Sequence, residues 1–295
     1  MPLKAILNSL IASIISCIFA IGFKYIGIYL IIFSYFSSLP IFIATFYYGL
    51  TGIIVCTLIT IFIMSSLTSF NVGLMFFITN ILPVTLILFE KRRITFNYLN
   101  FISKLTLVNS ILYLIFSFIF QDKISDITKN LATTFNKINN NITIDQSIID
   151  LAPSIVIFSW NIILILNLIF ARIILTKYFK NVENFSDKII NIHLPKWLIG
   201  LFIFFLIPSS ILNAENSTWF RSLALIYAIP ITIQGIGVIH VFLKKKKTSE
   251  FLIYTFYTII FLIPIITPII TAIGVLEHLY DFRRLKIKKI NRDID

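Results

Sequence analysis

The residues of this chain that could do chemistry are three carboxamides inside long apolar runs: Asn80, Asn167 and Gln234. Burying an amide in hydrocarbon costs several kcal/mol unless it is hydrogen-bonded. Each must therefore find a partner in a neighbouring helix or in a bound solute. Each also lies ten or eleven residues before a basic residue or cluster: Asn80 before Lys91-Arg92-Arg93, Asn167 before Lys177, Gln234 before Lys244. At 1.5 Å per residue, that spacing puts all three roughly 15 Å from the cytoplasmic edge, near the bilayer centre. Two chemistries fit such a set. One is interhelical hydrogen bonding, worth about 0.6 kcal/mol per amide. The other is contact with a polar solute at the depth where transporter sites lie. Asn161, beside Ser159 and Trp160, is six residues nearer the outer face and reads as an entrance residue of such a site.

Other reactive groupings are missing from the apolar runs. No Ser/His/Asp or Cys/His set stands at membrane depth, and no paired carboxylates do, which disfavours intramembrane hydrolysis and proton-coupled carriage. His193, His240 and His278 lie near loops without metal-ligand spacing. Cys17 and Cys56 lie in apolar runs without a CxxC pattern. The reading therefore assigns no catalytic residue, metal or cofactor, and no enzyme activity is expected. No P-loop pattern occurs, so ATP hydrolysis would have to come from a partner.

Two further patterns concern packing. Ser9, Ser13 and Cys17 repeat every four residues, with Ala12, Ser16 and Ala20 one step around the helix. Such a small-residue face lets another helix approach closely, from within the chain or from a separate membrane subunit. Near the C-terminus, Glu277 and Asp281 are spaced to share a helix face with Arg284, which reads as a capping ion network.

The elements that position these residues follow from composition. The 295 residues are 58% hydrophobic and only 13% charged, too little polar surface for a soluble domain of this size. The apolar material comes in blocks of about 20 residues, the length of a membrane-spanning helix. The alternation of a transmembrane β-barrel is absent. The expected fold is all-α, a polytopic bundle of about eight to nine spans near 5–23, 26–48, 51–67, 73–90, 101–120, 151–176, 197–213 and 220–242. An irregular block follows at 251–276, carrying Pro264 and Pro268. By composition the chain divides into a five-span bundle (1–120), an extracytoplasmic polar segment (121–150), C-terminal spans (151–280) and a basic tail (281–295).

The net charge of +12 sits mostly in short loops, as the positive-inside rule requires, so the implied partner is the lipid bilayer and not nucleic acid. Counting back from Lys91 places the N-terminus in the cytoplasm. Lys4 and the stretch ending at Cys17 loosely resemble a lipoprotein processing site, but the apolar run continues to Ile21, so an uncleaved first span is expected. One full crossing at 251–276 would put the basic tail outside, against its charge. Eight full spans plus one irregular segment, or nine crossings, remain as readings.

The succession Ser159-Trp160-Asn161, Asn167, Leu194-Pro195-Lys196-Trp197, Gln234-Gly235, His240 and Gly274 through Asp281-x-Arg283-Arg284 resembles the YybS-like predicted membrane proteins. That resemblance implies a multi-pass protein of the bacterial inner membrane. The N-terminal half is similar to the S components of energy-coupling-factor transporters. In those proteins a small-residue face on the first helix docks onto a membrane coupling subunit. The resemblance implies solute recognition, with Ser9, Ala12, Ser13, Ser16 and Ala20 as the docking face. The alternative function is a non-transporting scaffold for other envelope proteins.

Overall fold

A computed structural model describes residues 3–91, 96–138, 146–179, 192–262 and 266–283. The helices are α1 (Leu3–Tyr25), α2 (Ile31–Ser34), α3 (Leu39–Tyr48), α4 (Leu50–Leu67), α5 (Phe70–Phe76), α6 (Leu82–Lys91) and α7 (Tyr98–Ile119). They continue as α8 (Gln121–Ile138), α9 (Gln146–Ile149), α10 (Ala152–Tyr178), α11 (Lys196–Ile211), α12 (Ala214–Lys245), α13 (Glu250–Leu262) and α14 (Thr267–Tyr280). No strand occurs among the described residues. Arg92, Arg93, Asn139 to Asn141, Lys180, Pro264 and the tail from Arg284 onward lie outside them.

Among the described residues, seven helical stretches are long and apolar enough to cross a membrane, and two shorter apolar helices, Lys196–Ile211 and Glu250–Ile260, accompany them. Large apolar side chains point outward along these stretches, Phe62, Phe118 and Ile211 among them. A helix that is apolar all round without being buried in protein is a helix in lipid. The protein is thus an all-α, multi-pass membrane bundle of about eight spans.

The chain packs as two compact units: Met1–Asn97 with Trp160–Ser186, and Tyr98–Ser159 with Asp187–Asp295. This division by packing differs from the division by composition, since α7 and the polar segment join the C-terminal helices. In the first unit, α1 packs on α3 and α4. The turn from α3 to α4 runs through Gly49, whose φ of 61° favours a residue without a side chain. Pro40 opens α3 at its first turn instead of kinking a continuous span. Its missing N–H falls where a helix has no use for it.

The second unit is organised around α12, with α7, α11 and α14 against it. The apolar window of α12 is 78% buried, against 28–44% for the other long spans, which makes it the central helix. The described parts of the final apolar block are helices of 13 and 14 residues, each about 20 Å long. Pro268 sits in the first turn of α14.

Candidate functional site

The first unit holds a polar cluster built on two irregularities in its spans. Between α2 and α3 the chain turns through residues 35–38, with hydrogen bonds of the tighter i→i+3 kind, such as Ser37 N–H to Ser34 O at 3.2 Å. Between α5 and α6, residues Phe77–Ile81 form a π turn. Each irregularity leaves backbone groups for side chains to satisfy. In a membrane, such backbone survives only where protein or a lined cavity covers it.

Asn80 and Asn167 both close on the first irregularity, through adjacent serines. Ser37 Oγ donates to Asn80 Oδ1 at 3.1 Å, and Asn80 Nδ2 donates to Thr79 Oγ1 at 3.0 Å. Asn167 Nδ2 donates to the Tyr35 carbonyl at 2.7 Å and to Ser38 Oγ at 3.2 Å. Ser16 Oγ, from α1, donates to the Ser37 carbonyl. Trp160 Nε1 donates at 2.8 Å to the Thr79 carbonyl inside the π turn. Trp160 therefore acts as a hydrogen-bond donor within the unit, and its neighbour Asn161 is buried. Asn167 is only 1% exposed, yet its Oδ1 has no partner among the described residues.

Gln234 belongs to the second unit and is fully engaged there. Its Oε1 accepts the Leu194 N–H at 2.7 Å, and its Nε2 donates to the Gly274 carbonyl at 2.7 Å. Leu194 stands two residues before Lys196, where α11 begins. Gln234 therefore ties α12 both to α14 and to the segment that leads into α11. The helix that carries it, α12, has 32 residues and is about 48 Å long, well beyond one crossing. Of the three carboxamides, Asn80 and Asn167 belong to the first unit and are hydrogen-bonded there.

The serines of the small-residue face of α1 pack within its own unit. Ser9, Ser13 and Ser16 are fully buried, while Ala12 and Ala20 are half-exposed. Ser13 Oγ donates to the Ser9 carbonyl at 2.7 Å, and Cys56 Sγ of α4 donates to the same carbonyl at 3.5 Å. No group of three or more metal-ligating side chains occurs among the described residues.

Sequence reasoning found both asparagines but missed Ser37, Ser38 and the role of Trp160. The signal was present: Ser37-Ser38 followed by Pro40 is a helix-start signature inside an apolar run. The class defined by fold and cluster is a multi-pass helical membrane protein with a broken-helix polar site. No family model, curated protein or solved structure matches the chain.

Proposed function

We propose that this protein is a solute-recognising transport subunit of a bacterial inner membrane, with its recognition site at the α2–α3 break. The observation that supports this reading best is the open acceptor at Asn167 Oδ1, buried beside unwound backbone. Discontinuous helices that present polar backbone and amides inside a span are the usual material of transporter sites. An N–H or O–H donor on a small polar solute would satisfy Asn167 Oδ1, and no charged side chain of the cluster demands an ion. The resemblance to YybS-like proteins and to S components points the same way. Docking on a coupling subunit would fall to Ala12 and Ala20, because Ser9, Ser13 and Ser16 already pack internally.

The test is native mass spectrometry of the purified full chain. A co-purifying metabolite is expected. Asn167→Leu should lower its occupancy at least tenfold, equivalent to about 1.4 kcal/mol. Ser38→Ala, which keeps the amide and its acceptor, should retain most of it. A co-purifying protein with no small molecule in any preparation would favour the scaffold instead.

A further inference from the structure

Independently of the solute reading, we infer that α8 is an in-plane helix, with its apolar face seated in the headgroup–acyl boundary of the bilayer where α7 ends. Its sequence places Ile124, Ile127 and Leu131 at spacings of three and four. That spacing gathers them on one side of a helix, with Asp122, Asp126, Lys129 and Asn130 opposite. One flank of the stripe rests on the protein: Thr128 is 4% exposed and Ile124 half-buried. The other flank is open, with Ile127 at 59% and Leu131 at 37%.

Continuity with α7 identifies what covers that flank. The last turns of α7 expose Ile115, Phe118 and Ile119, the surface of a span that faces lipid. The helix is then interrupted only at Phe120, and α8 begins at the next residue. The apolar stripe of α8 therefore starts where lipid contact already exists. Lys123 Nζ lies 5.7 Å from the centroid of the Phe120 ring, the aromatic–basic pairing that anchors a chain at a membrane surface. Lys123, Lys129 and Lys137 against Asp122 and Asp126 leave α8 at 3 − 2 = +1. Attachment by apolar burial follows, and not attraction to anionic lipid.

The test uses the full chain carrying Cys17→Ala and Cys56→Ala, with single cysteines at Ile127, Leu131, Lys129 or Asn130 bearing nitroxide labels. Each variant is reconstituted into phosphatidylcholine vesicles, with and without phosphatidylglycerol. Labels at Ile127→Cys and Leu131→Cys should collide preferentially with dissolved oxygen. Those at Lys129→Cys and Asn130→Cys should collide preferentially with an aqueous nickel chelate. The pattern should not change with anionic lipid. Equal nickel access at Ile127 and Asn130 would mean that the helix stands in water. Shielding of Ile127 and Leu131 from both reagents would mean that protein covers the face. Either result overturns the proposal.

Discussion

Replacing Arg283 with methionine is expected to destabilise the second unit by about 3–5 kcal/mol, the usual cost of orphaning one partner of a buried ion pair. Arg283 Nε donates to Glu277 Oε1 at 2.6 Å, with the two side chains 2% and 0% exposed. The same guanidinium donates through Nη2 to the Ile192 carbonyl at 2.7 Å. It thus joins the end of α14 to the segment that leads into α11, two residues from the Leu194 N–H held by Gln234. Glu277 Oε2 has no partner among the described residues, so Arg283 is the principal compensation for its charge. The double variant Glu277→Leu/Arg283→Met should recover most of the loss, because an apolar pair of similar volume often replaces a buried ion pair without net cost. The residue left over should be about 1 kcal/mol for the Ile192 carbonyl. Unfolding of the purified protein in detergent measures all three. If single and double variants fall equally, the carbonyl bond and not the ion pair holds the segment.

That ion pair also marks where reading the sequence as a helix stops working. A continuous helix would bring Glu277 or Asp281 to Arg284. The chain instead leaves the helix at Asp281, which adopts a left-handed conformation with φ of 46°. After that turn Arg283 pairs with Glu277, six residues away, while Arg284 lies outside the described residues. Span existence was legible because apolar length is set by the bilayer. Asn80 and Asn167, spaced alike from their basic flanks, close on the adjacent serines Ser37 and Ser38. For Gln234 the partners are the Leu194 N–H and the Gly274 carbonyl, which no local pattern in the sequence records. The α1 face was legible as a packing surface. Its partner was not, since small residues permit close approach by any helix, and here α3 and α4 take the place.

The tightest sites for an added Cβ among the described glycines set the second large expectation, at the crossing of α12 and α14. A Cβ built on Gly235 would stand 2.0 Å from the Ile270 carbonyl oxygen, and one on Gly274 would stand 2.1 Å from the Ile231 carbonyl oxygen. Both obstacles are backbone, so no side chain can swing aside. Gly235→Val or Gly274→Val must drive the helices apart. Separation strains two bonds that depend on the contact, Gln234 Nε2 to the Gly274 carbonyl and the Thr232–Thr271 hydroxyl pair, each 2.7 Å. Overpacking of about 1–3 kcal/mol and roughly 1 kcal/mol for each lost bond sum to about 3–5 kcal/mol. Gly200 is the internal control, since a Cβ there meets nothing within 4 Å. Gly200→Ala should be neutral, or stabilising by up to about 1 kcal/mol from helix propensity. Thermal unfolding of the three variants in one detergent decides the matter. Equal shifts for Gly200→Ala and Gly235→Val would show that the helices do not meet at the glycines. A collapse confined to Gly235 and Gly274 would place the central contact of the second unit at backbone separation, where Gln234 serves as the bond across it.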